Sequence, residues 1–328
     1  MVNTKEIARL CGVSRGTVDR ALNNRPGISP ETKRKILQVA EEVGYRPNFI
    51  AKSLVTKKTM TIAIVVFDIN NRIFSQIANA IETRARELGY FVYLTLTHKK
   101  PELEKEYIRY LVDRKVDGII LMSVNKGQEF EKYLRNLKVP IVTFGNKISD
   151  EFPFIWINDE KAIIDAVQYL ASKNYEKLIY ITPALRESNP SNNMYGPEQR
   201  LKGFNKAMKL HKNMESIVIT DMNYIDTIDN ISNLGNEKVA FLCSSDIYAL
   251  DILKYAKNKG IHIPTEMGLM GFDNIDTIEY ITPSLATVGF SIEDIGIQLV
   301  NSLVDKIEGN EIPKRIQISH EIIEGETV

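Results

Sequence analysis

The chain has 328 residues, 44% of them hydrophobic, and 42 basic side chains balance 42 acidic ones for a formal net charge of zero. Two cysteines, Cys11 and Cys243, are too few for a disulfide framework and fit a reducing compartment. Apolar runs such as IAIVVF are too short to cross a bilayer, and MVNTKEIARL lacks the apolar core of a secretion signal, so a soluble cytoplasmic protein of two or three domains is expected.

The zero net charge hides a polarity. Residues 1–60 hold twelve Lys/Arg against five Asp/Glu, a net of +7, and the remainder carries −7. A basic head on a mildly acidic body implies that the head meets a polyanion. TKEIARLC (4–11) puts Ile7, Ala8 and Cys11 on one helical face, and Gly12 ends that helix. Ser14 caps a second helix over 15–22. Ala8, Gly12 and Val18 fit a helix-turn-helix: a small residue at the crossing, a glycine in the turn, and a branched apolar residue as the pin. Ser29-Pro30-Glu31 starts a third helix, with Ile36, Leu37, Ala40 and Val43 as its stripe and Gly44 at its end. Three short helices with a net positive charge point to DNA binding, with a small structural bundle as the alternative. In YRPNFIAKSLVTKK (45–58), Pro47 breaks the chain, Asn48 can cap, and FIAKSLV is helix-competent but too short to be stable alone.

The run TKEIARLCGVSRGTVDRALNNRPGISPETKRKILQVAEEVGYRPNFIAKSLVTKKT resembles the head of the LacI/GalR family of bacterial repressors. The resemblance implies that the second helix lies in the major groove of double-stranded operator DNA. It implies that residues about 48–56 form a hinge helix only on DNA, with a leucine wedged into the minor groove at the centre of a palindrome. Carried over, Arg15, Gly16 and Arg20 take base-reading positions, and Thr4, Ser14, Thr17 and Asn23 lie near phosphates. Asn48, Ala51 and Lys52 face the minor groove, and Leu54 is the wedge. Such a wedge offsets unstacking by letting bent DNA contact more protein. One position departs from the pattern: the family's TVSR is TVDR here, placing Asp19 among the DNA-binding residues. Asp19 has three open roles: an i,i+4 partner orienting Arg15, an acceptor for a cytosine amino group, or a charge that repels phosphate. The surrounding Arg9, Arg15, Arg20, Arg25, Lys33, Arg34 and Lys35 argue against the third.

From Thr61 short apolar strands alternate with amphipathic helices. Strands are expected at 61–67, 91–96, 118–122, 140–144 and 154–157, with helices at 73–88, 102–114 and 128–137. The rhythm restarts with a helix at 160–173, then strands at 177–182, 216–220, 239–243, 267–272 and 315–319 and helices at 197–210, 225–234, 246–259 and 292–308. Strands separated by helices argue for doubly wound parallel sheets, and two runs of them for two lobes. The expected fold is an all-α helix-turn-helix headpiece with hinge helix, followed by an α/β body of two doubly wound parallel sheets that resembles periplasmic binding proteins. The expected domains are 1–58 and 59–328, with lobe 1 at about 60–158 and 290–320 and lobe 2 at about 159–288 and 321–328.

The resemblance places an effector in the cleft between lobes, where it alters the interlobe angle and either separates the hinge segments and weakens DNA binding, as an inducer does, or recruits the protein to DNA, as a corepressor does. Cleft residues are expected in loops at strand C-terminal ends. Asp68 and Asn70 follow the first strand and Phe74 opens its helix. Arg200, in QRLKGF, matches the family's R..GF stretch, and Asp246 its ligand-binding aspartate. Phe74, Trp156 and Phe290 offer apolar faces. Each has a structural alternative: a local salt bridge for Arg200, a helix cap for Asp246, core packing for the aromatics. Sugar-binding relatives often have Asp-Arg where this chain has Gly145-Asn146. The usual Asp-Asn is Asn158-Asp159, and the 185–199 loop is long and polar. These departures speak against a common hexose. No GxGxxG or P-loop is present, and the four histidines are scattered, so no cofactor, metal site or enzyme activity is expected. A transport solute-binding protein is the competing reading, and the basic head counts against it. The expected partners are operator DNA, a sugar or related polar metabolite and a second copy of the chain, with no membrane; no heptad tail follows RIQIS, which favours a dimer.

Overall fold

The computed structural model describes residues 2–45, 53, 58–185, 192–221, 223–231 and 238–328. The chain divides into two compact units, Met1–Thr59 and Met60–Val328.

The first unit packs α1 (Thr4–Cys11), α2 (Arg15–Leu22) and α3 (Pro30–Glu42) against one another. Each start is capped by a side-chain oxygen: Asn3 accepts from the Lys5 and Glu6 amides, Ser14 from Thr17, Ser29 from Thr32. Gly12 takes φ +69°, a left-handed turn that an L side chain resists, and sends the chain from α1 into α2. Ile7, Val18 and Ile36 are fully buried at the shared centre, each stabilising the unit by about 1.5–3 kcal/mol. Ala8, Cys11, Ala21 and Ala40 fill the space between them. Leu37, expected in the α3 stripe, is instead 42% exposed, because the face turned to the two shorter helices is made by Ile36 and Ala40, with Val39 and Val43 partly buried beside them. The hinge positions Asn48, Ala51, Lys52 and Leu54 lie outside the described residues.

The second unit contains two six-stranded sheets. The first has the order β11-β5-β4-β3-β1-β2, using β1 (Thr61–Val66), β2 (Phe91–Leu96), β3 (Gly118–Leu121), β4 (Ile141–Phe144), β5 (Phe154–Ile157) and β11 (Arg315–Ile318). The second has the order β12-β10-β9-β8-β6-β7, using β6 (Lys177–Ile181), β7 (Glu215–Ile219), β8 (Val239–Cys243), β9 (Gly268–Phe272), β10 (Ala286–Phe290) and β12 (His320–Ile323). The central strands are buried along their length, as parallel strands covered on both faces are. The chain passes between the sheets three times: after β5, after β10, and in the single residue between β11 and β12.

Helices α4 (Arg72–Glu87), α5 (Pro101–Asp113), α6 (Gln128–Asn136) and α11 (Ile292–Glu308) lie on the first sheet's side, with α11 packed on α4 and β3. Helices α7 (Asp159–Ser172), α8 (Tyr195–Leu210), α9 (Tyr224–Ile231) and α10 (Asp246–Lys259) belong to the second. β10 and β12 were not expected from sequence. ATVGF carries a glycine, and HEII begins with His-Glu. Among the described residues theirs is the one antiparallel pairing between strands, Phe290 against His320 through Thr287 against Ile323. Among the described residues no helix is long and apolar enough to cross a membrane, and both cysteines are free and buried.

Candidate functional site

The sheets meet at a cavity of about 310 Å³ built from loops at the C-terminal ends of both sets of strands. Its polar end is organised around Arg200. Arg200 Nε donates to Asp159 Oδ1 at 2.7 Å, and one terminal nitrogen donates to the Ser244 carbonyl and lies 3.6 Å from Asp273 Oδ1. The guanidinium also stacks over the Phe272 ring, 3.6 Å from its centroid. Arg200 is therefore already held on its polar edge and on one face.

Asp159 and Asp273 are both buried, and both line the cavity. Two carboxylates against one guanidinium leave a surplus negative charge in a dry site. Burial pushes Asp273 up to about 6 against the pull of Arg200. Burial likewise raises Asp159 in spite of Arg200. Burial works against charge on Arg200 too, but the two acids outweigh it and hold the guanidinium protonated.

The walls are aromatic. Phe74 meets Phe67 edge-on at 5.6 Å, Trp156 stacks near Phe154 at 6.4 Å, and Phe290 leans on Phe272 at 6.3 Å. Phe74, Trp156 and Phe290 all line the cavity and are only partly buried. Asp68 lines it as well, with Oδ1 accepting from the amides of Asn70 and Asn71. That turn points Asn70 outward, where it is exposed, and brings Asn71 to the cavity in its place.

Asp246 also departs from expectation. It does not line the cavity. It is fully buried, with Oδ1 accepting from the Thr287 hydroxyl at 2.6 Å and Oδ2 from the Ile275 amide at 2.9 Å. Burial, reinforced by nearby Asp273, lifts it to about 7. Gly271 leaves room for it, since a Cβ there would stand 2.1 Å from Asp246 Oδ1. Asp246 is a lock beneath the cavity floor, and the carboxylates that line the cavity are Asp68 and, beside Arg200, Asp159 and Asp273. Asp159 stood in the sequence only as half of an inverted Asp-Asn pair. Asp273 follows β9 directly, so the strand-end rule could have found it.

The loop positions Gly145-Asn146 join the lobes. Asn146 Nδ2 donates to the carbonyls of Ser123 and Asn193, and its Oδ1 accepts from the Gly196 amide. Asn193 returns the contact, its side chain donating to the carbonyls of Asn125 and Lys147 and its amide to Val124. Among the described residues no cluster of three or more His, Cys, Asp or Glu is arranged for a metal.

In the first unit, α2 presents Arg15, Gly16, Asp19, Arg20 and Asn23 on its exposed side while Val18 and Ala21 are buried. Thr17 and Thr4 are half-buried, and the Ser14 and Thr17 hydroxyls lie 2.9 Å apart. Asp19 does not pair with Arg15. Asn24 adopts φ +54° and the Arg25 amide bonds back to the Arg20 carbonyl, which folds Arg25 against α2. Asp19 Oδ2 accepts from Arg25 at 3.0 Å and Oδ1 from the Asn23 side chain at 2.8 Å.

A helix-turn-helix unit joined to a two-lobed α/β body with an interlobe cavity defines a class of ligand-binding regulators. Residues 3–48 match the family model for bacterial regulatory proteins of the lacI family, and 167–328 match the periplasmic binding protein-like domain. The HTH-type transcriptional regulator RegA of Clostridium acetobutylicum is 32% identical over 312 residues, covering 93% of each chain. Catabolite control protein A of Priestia megaterium is 28% identical over 98% of this chain and 97% of its own. The lac repressor dimer bound to operator and an anti-inducer superposes with a TM-score of 0.86 at 21% identity, over 99% of this chain and 98% of that one. A LacI-type regulator of Alkaliphilus metalliredigens, complexed with D-xylulofuranose, superposes at 0.70 with 28% identity, over 82% of this chain and 98% of its own. The chain belongs to the lacI family of bacterial regulatory proteins and is a transcriptional regulator.

Proposed function

We propose that this regulator is a cytoplasmic, homodimeric repressor that binds a pseudo-palindromic operator and is released by an uncharged, hydroxyl-rich ring in the interlobe cavity. The observation that carries this is the polar end of the cavity. Arg200 is committed to Asp159, Asp273 and Ser244, so a ligand at this end meets carboxylate acceptors, while the other cation lining the cavity, Lys99, is solvent-exposed. Acceptors in a desolvated site call for donors and disfavour anions. The aromatic walls suit the apolar face of a ring, and the volume suits a single one. The D-xylulofuranose complex of the Alkaliphilus regulator supports a sugar of this size.

In the head, Arg15, Gly16 and Arg20 read bases, and Thr4, Ser14, Thr17 and Asn23 lie near phosphates. Asn48, Ala51 and Lys52 enter the minor groove around the Leu54 wedge, in a hinge at about 48–56 between domains 1–58 and 59–328. The dimer form is supported by the exposed edge strand β2, where Phe91, Tyr93 and Leu94 are 65%, 41% and 45% exposed. Ligand and operator oppose each other reciprocally, each weakening the other by the same factor. The test is a matched panel of neutral monosaccharides, sugar acids and sugar phosphates, titrated against the fluorescence of Trp156, the single tryptophan. A neutral member that binds and lowers operator affinity is expected; binding confined to the acids or phosphates refutes the ligand class.

A further inference from the structure

Besides the three chain crossings, several side-chain contacts join the lobes, and they differ in kind. The Asn146 and Asn193 contacts run to backbone groups and are buried. The pair Lys126–Glu198 is 3.6 Å long. The third contact is ionic, short and two-pronged: Arg72 Nε donates to Asp276 Oδ1 at 2.7 Å and a terminal nitrogen to Oδ2 at 2.5 Å. Arg72 opens α4, on the first sheet's side, and Asp276 begins the 3-10 turn Asp276–Tyr280 after β9. The Gln76 side chain, one turn along α4, accepts from the Asp276 amide at 3.4 Å.

The placement is informative. A cation at a helix N-terminus opposes the macrodipole, and within its own helix the Arg72 side chain makes only a long 3.5 Å contact with Ser75 Oγ. Its compensation comes from across the cleft. Most exposed ion pairs contribute little, but a bidentate arginine–carboxylate pair is the favourable case. Both residues also sit beside the cavity. Arg72 follows Asn71, which lines it, and Asp276 comes three residues after Asp273, which lines it too. Between Asp273 and Asp276 the chain is pinned, with φ at +115° and +53° for Asp273 and Asn274 and the Ile275 amide bonded to buried Asp246.

We propose that Arg72 and Asp276 form a latch that holds the two lobes closed over the cavity. The buried asparagine contacts act as the fixed side of the closure, and the half-exposed ion pair is the part that releases. The lobes thus open and close in an equilibrium set by the chain itself, and ionic strength shifts it.

The test is hydrogen–deuterium exchange in the intact chain without DNA or sugar, following peptides that span 67–77 and 272–281. It is independent of the regulatory reading, because neither ligand nor operator is present. Arg72→Gln and Asp276→Asn are each expected to speed exchange in both peptides by up to about fivefold, the scale of one exposed pair. The double variant is expected to exchange no faster than either single one. Raising salt to about 0.5 M, where screening acts within about 4 Å, is expected to speed the wild type and leave Arg72→Gln unchanged. Unchanged exchange in the single variants, additive effects in the double one, or equal salt responses in wild type and Arg72→Gln would overturn the latch.

Discussion

Gly203→Ala is expected to damage stability and ligand binding together through a single contact. Helices α7 and α8 cross so closely that a Cβ at Gly203 would stand 2.4 Å from the Glu160 carbonyl oxygen and 3.0 Å from its Cα. These are backbone atoms, so no side-chain rotation relieves the clash, and α8 must retreat by at least about 0.6 Å to reach even the tightest tolerated contact. Overpacking of this kind costs about 1–3 kcal/mol, or a melting point lower by roughly 2–5 °C for a body of this size. The same retreat stretches the site. Asp159 precedes Glu160 and Arg200 lies one turn before Gly203, so the 2.7 Å bond between them lengthens past about 3.2 Å and weakens. Thermal unfolding combined with Trp156 titration of a bound sugar measures both effects. A Gly203→Ala protein that melts with the wild type and binds as well would refute the crossing as the element that positions Arg200.

Three further outcomes follow from the site. Asp159→Asn and Asp273→Asn are expected to lower sugar affinity about tenfold or more, and Asp246→Asn to change it less than about twofold, read by the same titration; the reverse order would return Asp246 to the cavity. Asp246 titrates near 7 when folded against 3.8 as its ordinary value, so the folded state holds a proton that the unfolded chain releases in that window. Wild-type stability relative to Asp246→Asn is therefore expected to fall as pH rises through it, by no more than about 1.4 kcal/mol per unit, and urea unfolding curves with parallel pH dependence would contradict this. Asp19→Ser frees Arg25 and Asn23, so operator affinity is expected to drop by at most about fivefold with base preference unchanged; a shifted preference would make Asp19 a reader.

Periodicity and capping made most of the fold legible. The apolar spacing in 4–42 and the Ser14 and Ser29 caps suffice to place three helices, because these are local signals. The alternation of strands and helices from Thr61 suffices for two parallel sheets. β10 and β12 were not legible because each is short and gains its strand character from neighbours distant in sequence, β10 from β9 and β12, and β12 from β10. The site was half legible for a similar reason. Strand-end logic and the resemblance led to Asp68, Phe74, Trp156, Arg200 and Phe290, all of which line the cavity. They could not decide between Asn70 and Asn71, because the Asp68 turn sets which one faces in. They could not place Asp246 either, since its burial depends on the space left by Gly271 and on donors from Thr287 and Ile275. Asp19 shows the same limit: an i,i+4 rule anticipated Arg15, and the turn at Asn24 supplied Arg25.

The central claim is that the head reads a palindromic DNA sequence and that the cavity controls this reading. Selection of binding sites from a random duplex pool by the purified full-length chain, with and without a neutral sugar that shifts Trp156 fluorescence, tests it most directly. Enrichment of a two-fold symmetric site that the sugar abolishes is the predicted result. No enriched site under either condition, or an enriched site indifferent to a sugar that demonstrably binds, would contradict it.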